Sequence, residues 1–343
     1  MQRRELGKTG ISVSRLCFGT LVMGPLQRSL SPDAGGSLLA EAYRAGINFI
    51  DTAELYGTYA HIRASVRQSG ITPVIATKSY AWSSDGAKRS VEKALLETGF
   101  PFLDIFLLHE QESGHTLRGH AEALDALLEM KRQGLIRAVG VSTHHVACVR
   151  AAAAMPEIDV IHPIINRAGL GICDGTAGGM LAALEEAHRA GKGLYGMKVF
   201  GGGNLLADYP ACLQFALDIP WFHSIAIGMQ HRDELQANLA AFGAWESGNP
   251  IQNASGAFIL NASGIPSPDA SGIADPDACA AGRLPAKKAL HVDFWCEGCG
   301  LCCERCSHGA LALADGKAVP APGRCVLCGY CAAVCPVFAL KVY

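Results

Sequence analysis

The 343-residue chain is poor in charge, at 17% of residues, and in aromatics, at 7%, and its formal net charge is only −2. A near-neutral balance without a polybasic run excludes the electrostatic footprint of a nucleic-acid or anionic-lipid binder. No apolar run approaches the roughly 18 residues that a membrane span requires. No export signal is expected either. The polar ELGKTGISVSR, with Glu5, Lys8 and Arg15, separates Arg3-Arg4 from the apolar LCFGTLVMG, and no small-residue cleavage site follows. The segment reads as the start of a fold, and the protein as cytoplasmic, with no nucleic-acid or membrane partner. No flavin motif is evident. The Gly-rich dinucleotide fingerprint is absent too, because LCFGTLVMGP after the first strand candidate is a poor match.

What the chain does have, from about residue 15 to 240, is an alternation of two textures. Eight short apolar runs, RLCFGT, INFIDT, PVIATK, LDIFLLH, IRAVGVS, DVIHPII, GLYGMKV and HSIAIG, read as buried strands. Helix-spaced stretches such as DGAKRSVEKALLETG and HAEALDALLEMKRQG lie between them, several ending at a capping glycine: Gly46, Gly99, Gly134 and Gly191. Eight strand–helix units favour a closed (β/α)8 barrel over an open doubly wound sheet. The expected organisation is a barrel over 1–243, a Gly/Ser/Pro-rich linker or insertion over 244–288, and a small α+β domain over 289–343.

Cysteine is abundant but segregated: nine of the 14 lie between 296 and 335. Disulfide scaffolds spread their cysteines across the domain they staple, and a reducing compartment argues against them as well. Each half of this tail reads C-x2-C-x2-C-x3-C, first as Cys296, Cys299, Cys302 and Cys306, then as Cys325, Cys328, Cys331 and Cys335 followed by Pro336. Zinc sites usually pair their ligands across a longer loop. The doubled run is instead the bacterial [4Fe–4S] pattern, in which the fourth cysteine of each run ligates the other cluster. One cluster is thus expected on Cys296, Cys299, Cys302 and Cys335, and the other on Cys325, Cys328, Cys331 and Cys306. The tail, from about 291 to 343, resembles bacterial two-cluster ferredoxins. Ser307 departs from the usual proline, and Cys303 reads as a spare buried thiol.

The strand ends INFIDTAELYG, VIATK and FLLH carry Asp51, Tyr56, Lys78 and His109 to one rim, where barrels of this kind do chemistry. A carboxylate keeps a lysine charged, and that charge is expected to lower the tyrosine from its ordinary value of about 10. The phenol could then protonate a carbonyl oxygen while a histidine orients it. Taken singly, each residue has a structural alternative: a loop cap, a solvated strand end, a satisfied polar group.

Over roughly 1–242 the chain also resembles the aldo/keto reductase family, through RELGKTGISVSRLCFGT, GINFIDTAELYG, IATK, FLLH, GLIRAVGVS, KVFGGGNL and IAIGMQHRDELQANL. The resemblance implies that Asp51, Tyr56, Lys78 and His109 form a catalytic tetrad for reversible carbonyl reduction by NADPH or NADH. For the nicotinamide cofactor it implies Gly19, Thr20, Ser142, Thr143, Asn166, Lys198, Arg232 and Asn238. Thr143 replaces a usual asparagine, and Met197 stands where many members stack a tyrosine. The second loop, LYGTYAHIRASVRQSG, also lacks a glutamate common to the family. The expected function is an iron–sulfur oxidoreductase acting on a small carbonyl or alcohol, with a redox protein partner at the tail. Two alternatives are an electron-transfer protein whose barrel is a nicotinamide-binding or docking platform, and a tail whose clusters only stabilise its fold.

Overall fold

The computed structural model describes residues 1–251, 290–294, 296–336 and 339–342. All eight apolar runs form parallel strands: β3 (Leu16–Gly19), β4 (Phe49–Asp51), β5 (Val74–Ser79), β6 (Leu103–Leu108), β7 (Ile136–Thr143), β8 (Val160–Pro163), β9 (Gly193–Gly196) and β10 (Ser224–Gly228). They pair in chain order, and β10 closes on β3 through Ile225 opposite Leu16 and Gly228 opposite Gly19. An antiparallel hairpin, β1 (Arg3–Glu5) and β2 (Ser12–Ser14), precedes the barrel. Leu6, Ile11 and Val13 from this hairpin pack with the lumen residues Cys17, Phe49, Ala76, Ile105 and Tyr195, which plugs the N-terminal mouth with apolar surface.

Nine helices surround the described barrel: α1 (Pro32–Arg44), α2 (Tyr59–Ser69), α3 (Ser84–Thr98), α4 (Gly114–Gly119), α5 (Ala121–Arg132), α6 (Val146–Ala154), α7 (Ala177–Arg189), α8 (Tyr209–Leu217) and α9 (Arg232–Glu246). Their starts are chemically marked. Ser31, Ser83 and Thr176 accept hydrogen bonds from Ala34, Gly86 and Gly179 backbone N–H groups. Gly99 adopts φ 78° just after α3, the left-handed geometry that a glycine makes inexpensive. Helix α9 runs through Gly243 to Glu246, and its Trp245 lies 5.1 Å from the guanidinium of the buried Arg15. Most of the expected linker, 252–288, lies outside the described residues.

The tail is built from two related halves, since Cys325 follows Cys296 by 29 positions. The first half supplies β11 (Leu290–Val292), α10 (Leu301–Arg305) and β12 (Leu311–Ala314). The second supplies β13 (Lys317–Pro320), α11 (Tyr330–Ala333) and β14 (Leu340–Val342). Each half's first strand pairs antiparallel with the other half's last: β11 with β14, and β13 with β12. The backbone repeats as well. Gly298 (φ 67°) and Gly300 (φ 83°) in one half match Leu327 (φ 53°) and Gly329 (φ 78°) in the other. Among the described residues no helix is long and apolar enough to cross a membrane.

The tail sits on the C-terminal mouth of the barrel. Gln27 donates to the Leu327 carbonyl at 3.1 Å, and Asn204 donates to the Cys325 carbonyl at 2.8 Å. The closest approach is at Gly202 (φ 70°), where a β-carbon would lie 1.6 Å from the Val326 carbonyl oxygen. Only glycine permits that contact.

Candidate functional site

The four expected catalytic residues converge at this mouth. Asp51 ends β4, Lys78 lies near the end of β5, and His109 follows β6; Tyr56 closes a single 3-10 turn, Glu54–Tyr56, that Gly57 terminates at φ 64°. Lys78 Nζ donates to both Asp51 carboxylate oxygens, at 2.8 and 2.9 Å, and to the Thr52 carbonyl at 2.6 Å. The same nitrogen lies 4.8 Å from the centre of the Tyr56 ring. Asp51 also accepts from the Tyr195 hydroxyl at 2.9 Å, and His162 stacks on the Tyr195 ring at 3.8 Å. Sequence reasoning missed both His162 and Tyr195. The signal was available: each interrupts an otherwise apolar buried strand with a polar group that must find a partner.

The expected direction of the tyrosine shift is corrected. Burial, then the Asp51 charge, pushes the Tyr56 phenol well above its ordinary value, against a smaller opposing effect of its hydrogen bond to Tyr330. Burial lowers Lys78 itself, with Asp51 opposing, and burial followed by the charges of Lys78 and Arg305 drives His109 well below the usual imidazole range. His109 is therefore neutral, and Tyr56 is a protonated donor.

The tail packs over this group. The Tyr330 hydroxyl lies 3.2 Å from the Tyr56 hydroxyl and 3.2 Å from His109 Nε2. Arg305 covers the rings of Tyr80 and Tyr330 at 4.6 and 5.0 Å, and it meets Glu110 at 3.4 Å. Glu110 also accepts from the Tyr80 hydroxyl at 2.6 Å, and its own backbone is left-handed at φ 49°. His308 packs against His144 at 4.6 Å. None of Tyr330, Arg305, His308 or Glu110 was singled out from sequence. The 29-residue repeat held one clue: Tyr330 stands where the first half has Leu301, an aromatic between ligand-type cysteines.

The cofactor candidates divide. Thr20 donates to the Asp51 carbonyl at 3.1 Å beside Gly19, which ends β3. Ser142 Oγ accepts from the Glu110 N–H at 2.9 Å, and Thr143 donates to the Gln111 carbonyl at 2.6 Å, so both brace the loop that carries His109. Asn166 spends its carboxamide on Leu170, at 2.8 and 2.9 Å. Lys198, left-handed at φ 58°, contacts His144 Nε2 at 3.0 Å. Arg232 and Asn238 lie on α9, where Arg232 pairs with Glu41 at 2.8 Å and Asn238 accepts from Tyr209 at 2.9 Å.

The cysteines surround two spaces. One is lined by Cys306, Cys325, Cys328 and Cys331. The other is lined by Cys296, Cys299, Cys302 and Cys335. Each space combines three cysteines of one run with the fourth of the other. Backbone N–H groups of Ala310, Ala318 and Ala339 approach the sulfurs of Cys306, Cys296 and Cys335 at 3.3, 3.4 and 3.1 Å. Such donors stabilise thiolate charge and tune cluster potential. Among the described residues no group of three or more His, Cys, Asp or Glu is arranged to hold a single metal ion. Cys303 is half-buried beside Cys302.

Comparison with known proteins agrees with this architecture. The sequence profile of the aldo/keto reductase family matches residues 15–210, and that of a 4Fe-4S binding domain matches 318–341, which holds the second cysteine run. L-Galactose dehydrogenase of Arabidopsis thaliana is 26% identical over 156 residues, covering 41% of this chain and 48% of its own length. The NADH-specific methylglyoxal reductase of Escherichia coli is 27% identical over 203 residues, covering 49% and 61%. The chain thus spans about half the length of these curated relatives. A solved structure assigned to the aldo-keto reductases, from Pseudomonas aeruginosa, is 26% identical with a TM-score of 0.59, covering 69% of this chain and 92% of that one. The holo form of an aldo-keto reductase from Bacillus halodurans, 19% identical with a TM-score of 0.58 over 71% and 91%, shares the fold. The chain belongs to the aldo/keto reductase family and carries a 4Fe-4S binding domain at its C-terminal end.

Proposed function

We propose that the protein is a nicotinamide-linked carbonyl oxidoreductase in which Tyr56 is the general acid and the tail carries two [4Fe–4S] clusters. The observation that carries this reading is the convergence of Asp51, Lys78, Tyr56 and His109 at one buried rim. A reduced nicotinamide, when bound, supplies the hydride. Ser142 and Lys198 are the residues suited to hold it, because Ser142 braces the loop that carries His109 and Lys198 lies against His144, while Arg232 is exposed on α9 in a pair with Glu41 and Asn166 and Asn238 hydrogen-bond within the protein.

The chain's own part follows from protonation states. Tyr56, kept neutral by burial, holds its proton until negative charge develops on the carbonyl oxygen. It then transfers that proton, and the adjacent Lys78 ammonium stabilises the phenolate left behind. Neutral His109 offers an Nε2–H to the same oxygen without competing for the proton. Asp51, fixed by Tyr195 and Lys78, holds the lysine in place. In the tail, the two cavities and their N–H donors suit clusters on Cys306, Cys325, Cys328 and Cys331, and on Cys296, Cys299, Cys302 and Cys335. Bound clusters supply one-electron storage, and a redox protein is the natural partner.

The test is anaerobic carbonyl reduction with NADPH and NADH by metal-loaded protein. Tyr56→Phe should lower kcat by about 10² to 10⁴ with little change in cluster content. Equal rates for wild type and variant would reject the role of Tyr56. A second reading, an electron-transfer protein whose barrel is a docking platform, draws support from the tail's hold on Tyr56 and His109. It predicts that both proteins are inert toward carbonyls, while electrons still reach the clusters from an external donor.

A further inference from the structure

Resting on the carbonyl reading, we propose that the tail is a self-occupying cap: the Tyr330 hydroxyl takes the carbonyl's seat between Tyr56 and His109, and substrate enters only when the 325–331 loop withdraws. The geometry is specific. A carbonyl oxygen about to be protonated must meet the Tyr56 hydroxyl and His109 Nε2 together, and those are the two groups that Tyr330 meets at 3.2 Å each. Its ring is not lodged there by accident. It stacks at 26° to the Tyr56 ring, lies edge-on to His109, and is covered from outside by Arg305. Substrate and Tyr330 therefore exclude one another.

The seam is also built to part. Of the described buried side-chain atoms that lack a hydrogen-bond partner, His109 Nδ1, Arg305 Nη2 and His308 Nε2 belong to residues of the seam, and beside them Glu110 Oε1 and His144 Nδ1 face each other only at 3.5 Å. Water satisfies such atoms once the surfaces separate, so opening recovers solvation that closure forfeits. Glu110, Lys198 and Leu327 add left-handed backbone at or beside the seam, strain that concentrates where a structure switches. Across the seam run Gln27 to Leu327, Asn204 to Cys325, Glu110 to Arg305 and Cys173 to Ser307 and His308, beside a small apolar cluster of Leu21, Leu26, Ala53, Tyr56 and Tyr330. A cap held by separate polar contacts and one small apolar patch is separable, unlike one sealed by a large apolar interface. Tyr330 lies two residues after Cys328 and one before Cys331, so whatever those thiolates hold also fixes the loop that closes the site.

The experiment measures benzoate binding by calorimetry, since its carboxylate oxygen accepts the same two hydrogen bonds, alongside KM and kcat for a small aldehyde. It compares metal-loaded wild type with Tyr330→Ala and with Gly202→Ala. The second variant leaves the cysteine motif intact and drives a β-carbon into the Val326 carbonyl. If the resting site is open about a tenth of the time, each variant binds benzoate about tenfold more tightly and lowers KM by a similar factor, with kcat little changed. Iron content checks that the clusters remain. Unchanged benzoate affinity in both variants overturns the cap. Tighter binding on Gly202→Ala alone, with a fully loaded Tyr330→Ala unchanged, overturns the role of Tyr330. Tighter benzoate binding in both, without aldehyde turnover in any protein, upholds the cap and removes the carbonyl reading. Tyr56-dependent turnover with wild-type benzoate affinity in both variants does the reverse.

Discussion

Replacing Asp51 with asparagine should be far more damaging than the loss of one hydrogen bond. The side chains of Lys78 and Asp51 are 1% and 6% exposed, and the ammonium sits within 2.9 Å of both carboxylate oxygens. Removing one partner of a buried pair strands the other charge, typically at about 3–5 kcal/mol. Lys78 keeps the Thr52 carbonyl and Tyr56 ring as neighbours, neither of which carries compensating charge. For a barrel of this size, 1 kcal/mol moves the melting temperature by about 2–4 °C, so Asp51→Asn should melt roughly 10 °C below wild type. The assay is far-UV circular dichroism during heating of metal-loaded protein. Lys78→Met should be comparably harmful, because Asp51 then keeps the Tyr195 hydroxyl and, at 3.6 Å, the largely neutral His162, neither of which replaces the ammonium. The double variant Asp51→Asn/Lys78→Met should recover most of the loss, since no buried charge remains. A single-variant shift below about 2 °C, or a double variant no better than either single one, would refute the claim that the pair exists to neutralise itself.

Acid should weaken the barrel through His162. Burial, only partly offset by Asp51, lowers this imidazole from 6.5 to about 4. The unfolded chain therefore binds the proton first, and stability present above pH 6.5 is lost as pH falls toward 4, by up to about 3 kcal/mol. Urea midpoints at pH 7 and pH 4.5 should differ less in His162→Gln than in wild type, and an equal difference would sink the assignment. The crossed ligand sets predict that Cys306→Ser and Cys335→Ser damage different clusters. Each should reduce iron from about eight to about four per chain, and Cys306→Ser should perturb the cluster that shares its cavity with Tyr330. Loss of the same cluster from both variants, by electron paramagnetic resonance, would show that the runs do not cross.

Much of the site was legible because its parts obey short-range rules. Asp51, Lys78 and His109 each follow an apolar run that reads as a strand, and parallel strands of a closed barrel deliver their ends to a common rim. The cysteine spacing is likewise local, as three ligands at steps of three need only one tight turn. The proton affinity of Tyr56 was not legible, and the expectation failed in sign. It depends on desolvation, and the neighbours that bury a side chain, among them Tyr330 from 274 positions away, are set by the tertiary fold.

The sequence by itself thus determined the barrel, the four convergent side chains and the two cysteine runs, because periodicity, strand-end placement and ligand spacing are encoded within a few residues of each feature. The tertiary structure alone decided that the second half-repeat faces the barrel mouth, that Gly202 lets Val326 approach, and that Tyr330 reaches the two groups a carbonyl would need. Those contacts join segments with no shared pattern. They arise from how two surfaces meet, a property of shape and burial that no stretch of either surface carries alone.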